Sequence, residues 1–102
     1  MISKNELHEI GHSRLKHYDA WLENNPEKLS LQRLKEAVNW WNNQLKEDFL
    51  RLDQITDDVT YIAGFSNVTQ CSILLGTVER YYIKKLETEL AKSKKKTSKK
   101  SR

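Results

Sequence analysis

Apolar residues recur along this chain with the three-to-four-residue spacing of amphipathic helices, and three such stripes can be followed. The first stripe begins behind Ser3 and Glu6, whose spacing is that of a capping box at a helix N-terminus. It ends near Asn24, so the pattern predicts a first helix over residues 4–24. The residues of this stripe are Leu7, Ile10, Leu15, Tyr18, Trp21 and Leu22.

The second stripe is the most regular one and is expected to end near residue 55. Pro26 and Ser30 each suit a helix start, so this helix begins at residue 26 or 31. Val59 and Ile62 continue the same register, which would extend the helix to residue 63. Residues 56–58 favour caps over helix interiors, so we expect a kink or an extra short helix near residues 56–63. The stripe consists of Leu31, Leu34, Val38, Trp41, Leu45, Leu52 and Ile55.

A third stripe follows a candidate cap at Ser66 or Asn67 and predicts a helix over residues 67–91. Three helices with short connections predict an all-α fold, a small antiparallel three-helix bundle forming one domain over residues 1–91. Residues 92–102 contain no apolar side chain and are expected to form a disordered lysine-rich tail. The third stripe consists of Val68, Cys71, Leu75, Val78, Tyr82, Leu86 and Leu90.

The positive charge is concentrated at the C-terminus. The chain is formally +4 and residues 92–102 carry seven basic and no acidic residues, which leaves residues 1–91 at 4 − 7 = −3. Such a segment either binds phosphates without sequence preference or keeps the protein in solution. Helix one and helix three add smaller basic faces. The expected contacts to a nucleic-acid backbone are Lys4, Arg14, Lys16, Lys84, Lys85, Lys92, Lys94, Lys95, Lys96, Lys99, Lys100 and Arg102.

Cysteine content and hydropathy bear on the compartment. Cys71 is the only cysteine, so no internal disulfide can form and no oxidising compartment is needed. No apolar run has the length of a membrane span or of a signal-peptide core. We therefore expect a cytoplasmic protein with no membrane partner, or a nuclear one in a eukaryote.

Residues 8–12 read HEIGH, which resembles the HExxH motif of the zincin metallopeptidases. The resemblance implies that His8 and His12, one helical turn apart, bind a zinc ion while Glu9 serves as general base. The chain departs from the family beyond these five residues. Tyr18 occupies the position of the third histidine in metzincins, and no strand pattern precedes the motif. We expect no enzyme and no cofactor, with His8 and His12 as weak candidates for a metal.

Two aromatic doublets, Trp40-Trp41 and Tyr81-Tyr82, stand on the second and third helices. Adjacent helical positions differ by about 100°, so only one residue of each doublet lies on its apolar stripe. Trp41 and Tyr82 are expected in the core. Trp40 and Tyr81 either cover the neighbouring helix, anchor a protein partner, or stack on unpaired bases.

These features favour a non-catalytic accessory subunit of a nucleoprotein assembly. Its helical body would bind protein partners, while helix one and the tail contact the nucleic-acid backbone non-specifically. The alternative is a protein-only adaptor or inhibitor that acts through helix faces and has a solubilising tail. A homodimer also fits, because Ser72 and Gly76 have the small-xxx-small spacing that lets another helix approach closely, although internal packing is its usual role.

Overall fold

The computed structural model describes residues 2–100, with side chains for residues 2–93. Its described part contains three α-helices and no strands: α1 (Lys4–Glu23), α2 (Leu31–Asp53) and α3 (Asp58–Lys100). A 3₁₀ turn, Pro26–Lys28, joins the first two helices. The prediction of an all-α three-helix bundle is confirmed. None of the helices in the described residues has the length and apolar character needed to cross a membrane.

Helices α1 and α2 both begin with a serine cap. The Ser3 Oγ accepts a hydrogen bond from the Glu6 N–H at 3.2 Å, as the capping-box spacing predicts. The Ser30 Oγ accepts one from the Arg33 N–H at 3.2 Å, so the later of the two predicted starts of α2 is the right one. Asn25 turns the chain between them with φ 54°, a left-handed conformation that asparagine tolerates.

Helix α3 begins nine residues earlier than the predicted residue 67. Its cap is Asp57, whose Oδ2 accepts a hydrogen bond from the Thr60 N–H at 2.9 Å. This hydrogen bond lowers the pKa of the Asp57 carboxyl. The expected break after α2 is present, but Val59 and Ile62 belong to α3 rather than to an extension of α2.

The predicted caps at Ser66 and Asn67 are wrong, because both residues lie inside α3. Asn67 is buried, and its Nδ2 donates a hydrogen bond to the Leu7 carbonyl of α1 at 2.8 Å. A polar side chain that suits a helix cap is used here to tie two helices together. The helix was predicted to end at residue 91, whereas the backbone of α3 is described as far as Lys100. The predicted disorder of residues 92–102 stays a prediction.

Helix α3 is the central helix of the bundle, because α1 and α2 each pack mainly against it. Helix α1 runs parallel to α3, and α2 runs antiparallel to both. Four pairs of neighbouring residues on different helices fix these directions: Leu7–Asn67, Trp21–Tyr81, Leu52–Gly64 and Trp41–Cys71.

The core divides into two clusters of buried side chains, and half-buried Leu45 packs against both. Fully burying a large apolar side chain contributes about 1.5–3 kcal/mol, so these clusters are the main favourable term in folding. Trp41 lies in the core as predicted, with 1% of its surface exposed. The first cluster contains Leu7, Leu52, Ile55, Ala63 and Val68, and the second contains Trp41, Cys71, Leu74, Leu75 and Val78.

Candidate functional site

Three of the predicted site residues meet at one end of the bundle. Tyr81, Lys84 and Lys85 line a cleft of about 240 Å³ together with Pro26 and Glu27. Tyr81 is half-buried, and its ring meets Trp21 edge to face at 5.6 Å between centroids. Its packing against α1 fits one of the three roles considered for the off-stripe residue of the doublet, that of covering a neighbouring helix.

The two lysines differ in how far they reach into solvent. Lys84 is exposed, whereas Lys85 is half-buried with its stem along the cleft wall. Glu27 lines the same cleft, and its carboxylate opposes the entry of an anion there. Lys92 is exposed further along α3. The predicted contacts Lys94, Lys95, Lys96, Lys99, Lys100 and Arg102 lie outside the residues whose side chains are described.

Arg14 does not lie on an exposed basic face as predicted. Its side chain is 3% exposed and forms a buried salt bridge with Asp48 of α2. The Arg14 Nη2 lies 2.6 Å from the Asp48 Oδ1 and 3.3 Å from the Gln44 carbonyl and side-chain oxygens. Arg51 also donates to Asp48 at 3.0 Å. Arg14 is therefore unavailable to a phosphate, and Lys4 and Lys16 remain as the exposed cations predicted on α1.

Trp40 lies in the groove between α1 and α2. Its indole stacks on His17 with 4.2 Å between ring centroids and meets Trp41 edge to face at 4.9 Å. The two stretches of groove on either side of it have volumes of about 480 and 790 Å³. With 37% of its surface exposed, Trp40 is partly covered by its own bundle and partly open to a partner.

His8 and His12 are exposed on α1. Among the described residues, no group of three or more histidine, cysteine, aspartate or glutamate side chains is placed to hold a metal ion. His17, the third histidine, is committed to Trp40. Within the part of the chain that the structure describes, the HEIGH segment thus offers two potential ligands on one helical turn, with no third grouped beside them.

Cys71 is a buried thiol, as the stripe predicted, and 0% of its surface is exposed. Burial raises the pKa of this thiol, and its Sγ lies 3.7 Å from the Trp41 carbonyl oxygen. A protonated, enclosed thiol is a poor nucleophile. Cys71 contributes packing between α2 and α3.

The largest surface feature missed by the sequence reading is an apolar stripe on α3, opposite its buried side. Ile62 is 67% exposed, Ile73 64% and Phe65 55%. These residues recur at helical spacing in the sequence. They fall on one face only when α3 begins before Ile62, whereas the sequence pattern predicted its start at residue 67. This outer face of α3 is defined by Asp58, Ile62, Phe65, Thr69, Ile73, Gly76 and Arg80.

Comparisons with known proteins found no matching family model, no similar curated protein and no similar solved structure. The fold is that of a small all-α protein of the three-helix class. The features that bear on its function are the surfaces described above.

Proposed function

We propose that this chain is a non-catalytic accessory subunit of a nucleoprotein assembly, which holds the nucleic-acid backbone at the C-terminal end of α3. The observation that carries the proposal is the position of Lys84 and Lys85 where α3 leaves the bundle, directly before the basic segment 92–102. Residues 84–102 contain nine of the eighteen basic residues and two acidic ones, or 9 − 2 = +7. The remaining residues, 1–83, sum to 4 − 7 = −3.

This distribution favours electrostatic binding at one end of the molecule. Ammonium groups that approach phosphates release condensed counterions, which makes the affinity depend steeply on salt and little on sequence. The net negative charge of residues 1–83 repels the nucleic-acid backbone from the rest of the surface. Helix α1 contributes less than the sequence suggested, because Arg14 is occupied by Asp48 and Lys4 and Lys16 alone remain.

The test is fluorescence polarisation with labelled single- and double-stranded DNA and RNA over roughly 50 to 200 mM salt, where phosphate contacts weaken steeply. The full chain is compared with a 1–91 chain and with the Lys84→Ala/Lys85→Ala double variant. We expect the double variant to bind more weakly. Its plot of log affinity against log salt should be shallower by about 1.4 on single strands, at about 0.7 per phosphate contact.

A matched control removes the same charge from another surface. Lys35 and Lys46 are exposed on α2 and do not line the cleft of Tyr81, Lys84 and Lys85, so the Lys35→Ala/Lys46→Ala variant should bind like the full chain. If both double variants weaken binding equally, only net charge matters and the position proposed for the contact is wrong. No binding by the full chain at the lower salt concentration overturns the function itself.

A second candidate function is the protein-only adaptor or inhibitor, with the basic segment acting in solubility. It is favoured by Trp40, whose indole is large, rigid and still 37% exposed after packing on His17. This candidate predicts that the chain binds no nucleic acid in the same titration. It further predicts that binding to its protein partner is indifferent to salt and is lost in Trp40→Ala.

A further inference from the structure

The outer face of α3 is apolar over most of its length and has no partner among the described residues. At 100° per residue its seven members fall within an arc of roughly 80°, on the side of the helix away from α1 and α2. Its three large apolar side chains, Ile62, Phe65 and Ile73, are each more than half exposed. Aligned exposure of this kind marks an interaction surface rather than scattered apolar residues.

Gly76 lies on this face and has no packing reason to be glycine within the described bundle. A Cβ built at this position meets no atom within 4 Å, whereas at Gly64, on the buried side of α3, it would meet Ile55 at 2.9 Å. A glycine in a helix interior costs roughly 0.5–1 kcal/mol relative to alanine. At Gly76 this cost would be offset by a second helix that packs closely against the backbone from outside the bundle.

The charges at the two ends of the face are opposite. Asp58 lies at the N-terminal end of the face and Arg80 at the other, and neither forms an ion pair within the described residues. Their midpoint is Thr69. Turned about an axis through Thr69, the face meets itself antiparallel, so that a residue n positions before Thr69 lies opposite the one n positions after it.

This register pairs every member of the face between Asp58 and Arg80. Ile83, which is 51% exposed, continues the same arc beyond Arg80 and lies outside the paired stretch. The opposed pairs across the axis are Asp58 with Arg80, Ile62 with Gly76, and Phe65 with Ile73. Opposite charges meet, a large side chain meets the glycine, and the two remaining large apolar side chains meet each other. A parallel pairing would instead place the two Asp58 side chains side by side and the two Arg80 side chains side by side.

We propose that the outer face of α3 is the seam of an antiparallel homodimer with its two-fold axis at Thr69. The partner is a second copy of this chain, because the face is complementary to itself in shape and in charge. The seam from Asp58 to Arg80 contains 23 residues, and the 22 steps between them cover about 33 Å at 1.5 Å per residue. The close approach permitted by Gly76 lets Ile62 of the other copy insert against the helix backbone.

The first experiment measures the molar mass of the full chain by sedimentation equilibrium from micromolar to millimolar protein. We expect a concentration-dependent rise from the 12.1 kDa monomer to twice that mass. Ile73→Lys should stay monomeric, since a lysine at this position faces Phe65 of the other copy. The matched control is Leu50→Lys on α2, where the starting residue is equally exposed at 64%, and it should dimerise like the natural chain.

Charge reversal distinguishes the antiparallel register from any other self-association. Asp58→Arg and Arg80→Asp should each weaken the dimer at least several-fold, while the double variant restores it because the pair is re-formed with its signs exchanged. A natural chain that remains at 12.1 kDa throughout overturns the proposal. So does a dimer that survives Ile73→Lys, or one that Asp58→Arg strengthens, as relief of repulsion in a parallel pair would do.

Circular dichroism shows whether each variant is still folded. All the substituted positions are exposed on α3 or α2, so each variant should keep the helical spectrum and a cooperative thermal transition. A variant that loses them is replaced by Ile62→Lys, which alters the same seam at a different level. The dimer and the nucleic-acid contact rest on different residues, and either can fail without the other.

Discussion

Arg14 and Asp48 form the most enclosed ionic interaction among the described residues, with side chains 3% and 2% exposed. The carboxylate is held by both terminal nitrogens of Arg14 and by Arg51. The buried Arg14 Nε has no hydrogen-bond partner among the described residues, and taking both charges out of water costs free energy that offsets much of their attraction. The pair therefore fixes how α1 sits on α2 more than it adds net stability.

Breaking this pair from one side should be costly. We expect Asp48→Ala to lower the free energy of unfolding by about 3–5 kcal/mol, because it leaves the Arg14 charge buried without a partner. The apolar double variant Arg14→Met/Asp48→Leu should lose much less. Urea unfolding followed by circular dichroism measures both.

Glu47→Ala provides the comparison for this experiment. Glu47 pairs with Arg51 at 3.4 Å in an exposed position, and such pairs contribute about 0–1 kcal/mol. Should Asp48→Ala cost no more than Glu47→Ala, the Arg14–Asp48 pair would not be buried in solution.

The sequence could not predict the burial of Arg14. Its partner is 34 positions away on another helix, and an isolated arginine beside two lysines and three histidines on one helix is normally exposed. Helical spacing tells which residues share a face, but not which polar member of that face finds a partner across the bundle.

At the scale of the helices, α3 carries a glycine on each of its two sides. Gly64 faces the core, where an added Cβ would lie 2.9 Å from the Ile55 Cδ1 and 3.1 Å from the Leu52 Cδ1. Gly76 faces outwards, where the same atom meets nothing within 4 Å. The same glycine-to-alanine substitution at the two positions therefore distinguishes the buried side of α3 from its outer side.

We expect Gly64→Ala and Gly76→Ala to change stability in opposite directions. Gly76→Ala should raise the free energy of unfolding by about 0.5–1 kcal/mol, the helix-propensity gain. Gly64→Ala should lower it, because overpacking a core costs about 1–3 kcal/mol and exceeds that gain. Thermal unfolding in the Ile73→Lys background measures the monomer alone. Equal effects at both positions would contradict the packing of α3 on α2.

Much of the helical architecture could be predicted from the sequence, because the caps at Ser3 and Ser30 and the core stripes are local patterns. The start of α3 could not. Val59 and Ile62 continue the register of α2, so the pattern joins them to the wrong helix. With α3 placed too late, Ile62 and Phe65 did not fall on the same stripe as Ile73, and the outer face of α3 stayed hidden.

For the molecule as a whole, α3 is about twice as long as either helix that packs on it, with 43 residues against 20 and 23. The side chains that contact the other helices lie between Ala63 and Lys85. Beyond them, residues 87–93 are exposed. The fold therefore depends on the first two thirds of α3, and the last third extends past it.

Truncation tests this division. A chain ending at residue 91 should keep its helical spectrum and a single cooperative thermal transition, because its core is intact. A chain ending at residue 74 lacks Val78 and Tyr81 and should lose cooperativity, since both other helices then lose packing. Circular dichroism at matched concentration measures both. Cooperative unfolding of the 1–74 chain would show that α1 and α2 do not depend on packing against the later part of α3.

Helix α3 follows α1 and α2 in the chain, so it is synthesised after both of them. While α1 and α2 leave the ribosome, the surface on which Trp21, Leu34 and Trp41 come to rest does not yet exist. These apolar side chains stay exposed until α3 has been synthesised, so the bundle can form only once α3 is available. A chain that stops before α3 exposes the apolar faces of two helices to association with other chains.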